Sequence, residues 1–166
     1  MGYSFLVNQK VVMSMPALPV SDLNSHLGYW LRYVSNHVSH SFARKLASNG
    51  VTVAEWALLR TLYANDRTAP SAIATDMGMT RGAITKLATR LIDKDLLVRS
   101  GNPKDGRAQT LALTESARRL VPKLAALADQ NDAEFFDHLS PGERSTLEGI
   151  LKDIVARRGL TTMPID

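Results

Sequence analysis

The amino-acid sequence predicts a mainly α-helical protein that carries one β-hairpin. Apolar residues recur at helical spacing in several segments, and two short β-like runs flank a turn-rich loop between Val98 and Thr114. The length of 166 residues suits one domain with a substantial core. The absence of cysteine excludes disulfides and thiolate metal sites, and we expect a cytoplasmic protein.

The first two predicted helices carry clear boundary signals. The first runs from about residue 22 to 46, ends at an Asn-Gly pair, and has the apolar stripe Leu27, Leu31, Val34, Val38 and Phe42. The second begins at Thr52, because Glu55 three residues later completes a capping-box pattern. Its apolar face is predicted to contain Trp56, Leu59, Leu62 and Tyr63.

Two short helices follow, separated by a break of about four residues. Ser71 is the expected cap of the first, Gly78 ends it, and Thr80 caps the second. In the second helix the residues at core-facing spacing are Ile84, Leu87, Ala88, Leu91 and Ile92. The remaining positions, which include Lys86 and Arg90, should therefore face outward.

The hairpin that follows these helices has a basic tip. Lys104 and Arg107 flank a single acid, Asp105, in a loop that also contains glycine, asparagine and proline. Asp105 has a simple structural interpretation, since aspartate stabilises turns. The two cations still require an explanation, because the loop holds them out where solvent or a partner must meet them.

Two further helices complete the predicted chain. Thr114 opens a long helix that contains Pro122, which predicts a kink or a restart near Arg118. The last helix begins with a capping box between Ser140 and Glu143. Its apolar stripe is Leu147, Ile150, Leu151, Ile154 and Val155.

The positive charge of the chain is concentrated in one segment. Residues 80–114 contain seven Lys/Arg and three Asp/Glu, whereas the rest of the chain contains thirteen of each. Segregation of the whole net charge of +4 favours a polyanionic partner, since clustering like charges has a cost that a phosphate backbone offsets. A solvated charged face explains the charge alone equally well.

The residues around the break match the physical needs of a helix-turn-helix. Ala74 is small enough for a close helix crossing, Gly78 suits a left-handed turn, and Ile84 is a branched apolar residue that locks the second helix onto the first. With the basic second helix and the basic hairpin, this pattern predicts a winged helix-turn-helix with a two-stranded β wing, flanked by terminal helices, that binds duplex DNA.

The segment "APSAIATDMGMTRGAITKLATRLIDKDLLVRSGNPKDGRAQTLALTESAR" resembles the MarR family of transcriptional regulators. The resemblance extends from about Leu27 to Gly159, and "DGR" followed by "LALTESAR" is similar to the wing motif of that family. It implies a homodimer built from the terminal helices and a recognition helix in the major groove. It also implies that Asp105 orients Arg107 towards the minor groove, and that a small aromatic or phenolic anion relieves repression.

The predicted contacts with a pseudo-palindromic operator follow from these observations. They are Ser71, Thr80, Arg81, Gly82, Thr85, Lys86, Thr89, Arg90, Lys104, Asp105 and Arg107. Arg90 and Lys94 have an equally good alternative as ion-pair partners of nearby acids. No catalytic motif frames the Ser, His and Asp residues, so we predict no enzyme and no cofactor. The alternative function is a winged-helix module for protein contacts, without effector or operator specificity.

Aromatic and histidine residues on the first two helices suggest a ligand cleft. We predict Trp30, Tyr33, His37 and Trp56 as its lining, and a role in the core is the alternative for each aromatic ring. His37 and His40 lie one turn apart, but no acidic residue at ligand spacing accompanies them, so no metal site is predicted.

The predicted domain organisation is simple. Residues 1–20 form an amino-terminal arm, either disordered or packed in a dimer, and Gln9, Lys10 and two prolines make it unsuited to span a membrane. Residues 21–166 form a single domain. Within it the winged helix covers about 52–114, and the dimerisation helices cover about 22–48 and 115–159.

Overall fold

The structure is a computed structural model that describes residues 20–65, 67–102 and 105–160, with the backbone alone at 102 and 105–108. A short 3₁₀ turn precedes six α-helices and one hairpin among these residues. The elements are α1 (Leu27–Ala47), α2 (Val53–Ala64), α3 (Pro70–Asp76), α4 (Arg81–Asp93), β1 (Leu97–Asn102), β2 (Asp105–Leu113), α5 (Glu115–Phe136) and α6 (Pro141–Arg158). The mainly α-helical prediction is confirmed.

The core lies between α2, α3, α4, the hairpin and the first half of α5. Its fully buried aliphatic side chains include Leu58, Leu59, Leu62, Ile73, Ile84, Leu91, Leu97, Leu111 and Leu124. The predicted inner face of α4 is confirmed, except that Ile92 is half-buried. The predicted face of α2 is partly wrong: Tyr63 is 42% exposed, and Leu58 takes part in the core instead.

The turn between α3 and α4 follows the sequence prediction at its glycine. Gly78 has φ +62°, a conformation that glycine adopts without a Cβ penalty, so this position ends α3. Thr80 caps α4 by accepting a hydrogen bond from the Ala83 amide at 3.2 Å. The predicted cap by Ser71 is wrong, because Pro70 suits the first helical position and starts α3 two residues earlier than predicted, with Ala69 as the cap.

The hairpin β1–β2, called the wing below, is antiparallel and pairs Leu97 with Leu113 at its base. Thr68 adds a short bridge to its outer edge, exchanging backbone hydrogen bonds with Leu111 at 3.1 and 2.9 Å. This bridge, which the sequence did not reveal, ties the loop before α3 to the wing. Helix-turn-helix and wing are therefore connected through the backbone as well as through the core.

Helix α5 is continuous through Pro122, so the predicted restart near Arg118 is wrong. A proline inside a helix costs about 3 kcal/mol. Ala117, Val121 and Leu124 bury one face of this helix, and their burial offsets the cost. Pro122 itself is exposed and displaces no core side chain.

The terminal helices have few buried residues. None of the eighteen residues of α6, all of them described, is buried, and α1 buries only Leu46. Trp30 and Tyr33 are 50% and 52% exposed, so the interpretation of these rings as core is wrong within one chain. A polar cluster joins α1 to α5, where the Lys45 ammonium donates to Asn131 at 2.9 Å and to Glu134 at 2.6 Å.

A buried carboxylate connects the start of α2 to the end of α4. Glu55 is 1% exposed, and its carboxylate accepts from the Lys94 ammonium at 2.8 and 2.9 Å and from the Thr52 amide at 2.8 Å. Lys94 also donates to the Gly50 carbonyl at 2.8 Å. We call these four residues the α2–α4 clasp. The sequence analysis left two roles open for Lys94, an ion pair or a phosphate contact. In the structure Lys94 forms the ion pair and belongs to this clasp.

The α2–α4 clasp favours the ionised form of Glu55. Burial alone would raise the pKa of this carboxyl, but hydrogen bonds from Lys94 and Thr52, together with the charge of Lys94, outweigh burial and lower the pKa below its ordinary value of 4.5. A folded-state pKa below the unfolded one stabilises the fold above the unfolded pKa. This contribution is lost as the pH falls through the folded pKa.

We expect Glu55→Gln to lower the free energy of unfolding by about 2 kcal/mol at pH 7, because hydrogen bonds to the charged carboxylate are lost. The difference from the unsubstituted protein should shrink as the pH falls below about 4. Denaturant unfolding at pH 7 and at pH 3.5 to 4 measures both effects. Glu115→Gln is the control, since Glu115 is 74% exposed in its pair with Arg119. An equal effect of the two substitutions would contradict the role of the clasp.

Candidate DNA-binding surface

Helix α4 presents an exposed polar face opposite its buried one. Burial of Ile84, Leu87 and Leu91 fixes the rotation of the helix about its axis. The predicted contact residues on and before α4 are all exposed, namely Thr80, Arg81, Gly82, Thr85, Lys86, Thr89 and Arg90. The structure therefore brings together every predicted residue of this helix on one accessible surface.

Three cations on α4 are available for a polyanion. Arg81, Lys86 and Arg90 have no ion-pair partner within the described ranges 20–65, 67–102 and 105–160. Lys94, in contrast, is held by Glu55 at 2.8 Å. Lys94 therefore neutralises the buried Glu55, whereas the three other cations face solvent.

Ser71 of α3 lies beside the amino end of α4. It lines an open groove of about 430 Å³ together with Thr75, Met79 and Arg81. The groove follows from the left-handed turn at Gly78, which brings the two helices together. Ser71, the predicted contact residue on α3, therefore lies next to Arg81.

Thr85 and Thr89 lie one turn apart on α4 and turn their hydroxyls back to the helix. The Thr85 hydroxyl donates to the Arg81 carbonyl at 2.9 Å, and the Thr89 hydroxyl donates to the Thr85 carbonyl at 3.0 Å. Such bonds to the carbonyl four residues earlier are a common alternative to solvent for threonine in a helix. The two side chains are therefore held in defined orientations.

Arg99 of the wing reaches the same stripe, although the sequence analysis did not assign it to the site. Its guanidinium donates to the Thr89 hydroxyl at 3.2 Å. Arg99 pairs with Leu111 in the hairpin, so both side chains belong to the sheet face that also carries Leu97. The alternation of side chains along β1 could have predicted this position, because it places Arg99 on the same face of the hairpin as Leu97.

Gln109 is a second residue that sequence reasoning missed. It pairs with Gly101, one step beyond the Arg99–Leu111 pair on the same sheet face. Together with Pro70, Thr85 and Arg99 it lines a groove between α3, α4 and the wing. The wing therefore extends the polar surface of α4 with one cation and one amide.

The tip of the wing lies partly outside the described residues. Lys104 is not described, and Asp105 and Arg107 are described only as backbone of β2. The predicted pairing of Asp105 with Arg107, and the contact of these residues with DNA, stay predictions.

The four residues predicted to line a ligand cleft are divided between two places. Tyr33 lies next to His37 on α1, with ring centroids 4.8 Å apart, and the ring centroid of Trp30 lies 6.4 Å from that of Tyr33. Trp56 packs instead against Phe42 at the edge of the core, with centroids 6.4 Å apart. Sequence spacing gave no information on this division, because it depends on how α1 crosses α2.

An open groove between α1 and α2 remains at His37. It measures about 610 Å³ and is lined by Asn36, His37, Ser39, His40, Ala43 and Val53. The two imidazoles stand one turn apart over an otherwise small and partly apolar lining. Polar side chains supply four of the six lining residues, and Ala43 and Val53 supply the apolar part.

Two features are absent from the described part of the chain. Within those residues, no group of three or more His, Asp or Glu side chains is arranged to hold a metal ion. None of the described helices is long and apolar enough to cross a membrane.

A helix-turn-helix whose second helix is exposed and basic, followed by a hairpin that extends the same surface, defines a winged helix-turn-helix protein. Comparison with known proteins narrows this class. Residues 51–108 match the sequence model of the MarR family. The putative transcriptional regulatory protein for the hcr operon of Thauera aromatica is 32% identical over 132 residues, which cover 79% of this chain and 80% of that protein.

Solved structures share the fold. A cysteine-to-serine mutant of E. coli MarR complexed with operator DNA has a TM-score of 0.70 and 24% identity, over 81% of this chain and 99% of that one. CouR from Rhodococcus jostii RHA1 bound to p-coumaroyl-CoA has a TM-score of 0.71 and 23% identity, over 87% and 99%. This chain belongs to the MarR family. It is a transcriptional regulator and not an enzyme.

If the exposed face of α4 binds the phosphate backbone, Lys86→Gln should weaken duplex binding and lower the magnitude of the slope of log K against log salt by about 0.9 for each bound subunit, the value of one phosphate contact. A fluorescence titration with a duplex at several salt concentrations measures the slope. Lys152→Gln on α6 is the control, because Lys152 is 74% exposed and lies outside the surface described here. Equal slopes for the two variants would place the phosphate contact elsewhere.

Proposed function

We propose that this chain is a dimeric repressor that binds a pseudo-palindromic operator in duplex DNA and is released by a small aromatic anion. The observation that carries the proposal is the exposed face of α4, where Arg81, Lys86 and Arg90 lack acidic partners among the described residues. This face lies in the segment that holds the entire net positive charge of the chain.

In this proposal α4 enters the major groove, where an α-helix fits and base edges are distinguishable. The wing reaches the neighbouring minor groove with Arg107, oriented by Asp105. A planar cation on a projecting hairpin suits the negative potential of a narrow minor groove. The related fold of E. coli MarR was solved with operator DNA, which supports duplex DNA as the partner.

A second copy of the chain is proposed to cover the terminal helices. Helix α6 leaves five apolar side chains in water, with exposed fractions from 38% to 54%, and they are Leu147, Ile150, Leu151, Ile154 and Val155. Leu27, Leu31 and Val34 of α1 are similarly exposed, at 81%, 49% and 44%. Burial of two such stripes in a two-fold interface removes them from water and places two copies of α4 on one face of DNA.

In this proposal, repression results from the stretch of duplex that the bound dimer occupies. A dimer that occupies two successive major grooves excludes other proteins from the same stretch of duplex. Where the operator overlaps a promoter, polymerase is among the excluded proteins. A reporter gene behind a selected operator should therefore be transcribed less when the protein is present.

Duplexes selected from a random pool should contain two half-sites whose centres lie about 10 base pairs apart, one turn of DNA. Sedimentation at micromolar concentration should show a dimer, and an isolated half-site should bind much more weakly than the full site. A stable monomer, or equally tight binding to one half-site, would contradict the dimeric arrangement. Binding without sequence preference would instead favour a winged-helix module that contacts proteins.

The proposed effector site is the groove between α1 and α2. His37 and His40 offer two imidazoles to a carboxylate, while Ala43 and Val53 contact an aromatic ring. The related CouR fold, solved with p-coumaroyl-CoA, supports an aromatic acid or its derivative as ligand class.

The α2–α4 clasp offers a route from this groove to the DNA-binding helix. Val53, which lines the groove, is the first residue of α2 and lies next to Thr52. Thr52 and Glu55 form the capping box, and Glu55 holds Lys94 at the carboxyl end of α4. A ligand that displaces the start of α2 therefore moves α4, and it lowers DNA affinity by as much as it prefers the displaced state.

Salicylate-like anions should quench tryptophan fluorescence and release the duplex over the same concentration range. His37→Gln should raise the concentration needed for release about tenfold, because one hydrogen bond to a carboxylate is lost. His138→Gln is the control, since His138 lies in the turn before α6. Quenching without release would contradict the regulatory role, and neither effect across a panel of aromatic acids would contradict the site.

A further inference from the structure

The hydroxyl of Thr89 is engaged within the protein on two sides. It donates its proton to the Thr85 carbonyl at 3.0 Å and accepts from the Arg99 guanidinium at 3.2 Å. A hydroxyl has only one proton to donate. Thr89 therefore has no donor left for the base acceptors of the major groove, such as N7 and O6 of guanine or O4 of thymine.

Thr85 has donated its proton in the same way, to the Arg81 carbonyl at 2.9 Å. Both residues are exposed and lie four positions apart, on one stripe of α4. A hydroxyl turned back to its own helix leaves the γ-methyl as the outer group of the side chain. The centre of the DNA-facing surface therefore offers two methyl groups, flanked by the cations Arg81 and Lys86.

We propose that Thr85 and Thr89 read the 5-methyl groups of thymine in the operator, with Arg99 as a positioning residue for Thr89. The proposal deepens the proposed function and rests on it. Thymine is the base that presents a methyl group in the major groove, and the threonine methyl is a known apolar partner for it. Side chains four apart on a helix are about 6 Å apart, which corresponds to about two base-pair steps of 3.4 Å.

The position of Arg99 supplies the second part of the argument. It approaches α4 from the wing, so its hydrogen bond to Thr89 depends on the contact between wing and helix. The bond engages the Thr89 oxygen and holds the methyl outward. Loss of Arg99 frees one lone pair of that oxygen and relaxes the side chain.

Replacement of thymine by uracil in the selected operator tests the proposal directly, since uracil lacks only the methyl group. For the unsubstituted protein, uracil at the two proposed positions of a half-site should weaken binding about fourfold each, the value of one methyl group removed from water. Uracil at other positions should have little effect. The uracil experiment changes only the DNA, so its result does not depend on whether a protein variant folds.

Two matched variants separate the methyl from the hydroxyl. Thr89→Ser keeps the hydroxyl and should bind the thymine duplex about fourfold more weakly for each half-site, with no further loss from uracil at its position. Thr89→Val has a methyl group at both γ positions, so a methyl faces outward without the hydrogen bond from Arg99, and this variant should retain the preference for thymine. Arg99→Gln should reduce that preference, because the Thr89 side chain is no longer held.

The outcomes distinguish this inference from the proposed function. Sequence-specific binding that is unaffected by uracil at every position overturns the methyl readout and leaves the repressor intact. Full thymine preference in Thr89→Ser, or its loss in Thr89→Val, also overturns it. Duplex binding without any sequence preference overturns both proposals.

Discussion

The rotation of α4 about its own axis determines what the DNA-facing surface can contain. That rotation depends on the burial of Ile84, Leu87 and Leu91 against the helices and wing around them. Each fully buried aliphatic side chain stabilises the fold by about 1.5 to 3 kcal/mol, more than any single surface ion pair. Once these residues are inside, Lys86 and Thr89 have to be outside. The surface chemistry of the protein is thus a consequence of packing in its core.

Local features of the sequence predicted the helices well, and long-range contacts explain what it could not predict. The capping boxes at Thr52 and Ser140 are formed as expected, because they involve residues only three positions apart. Lys94 is 39 positions from Glu55, and no periodic pattern indicates which acid it will contact. Arg99 illustrates the intermediate case. Its face on the hairpin follows from period two, but its approach to Thr89 depends on how the wing packs against α4.

Helices α1 and α6 show that a single chain does not bury every apolar stripe that its sequence predicts. The sequence predicted an apolar stripe on α6, and the structure leaves every residue of that helix unburied. A stripe indicates that burial is needed but carries no information on what covers it. The same reasoning applies to Trp30 and Tyr33, whose aromatic character suggested a role in the core although about half of each residue is exposed. Sequence patterns thus identify the apolar faces of these helices, but they leave the partner that covers each face undetermined.

The position of the α2–α4 clasp affects how motion would reach the DNA. Lys94 lies just after the carboxyl end of α4, whereas Arg81 opens its amino end, and the thirteen residues of the helix span about 20 Å. A tilt of about 10° at the clasp would therefore displace the amino end by roughly 3.5 Å, about the spacing of one base pair. Contacts such as the hydrogen bond between Arg99 and Thr89 oppose this tilt, because they join the middle of α4 to the wing. In the proposed mechanism a ligand between α1 and α2 would have to overcome that contact, so the hydrogen bond that positions Thr89 would also raise the affinity that an effector needs to release the duplex.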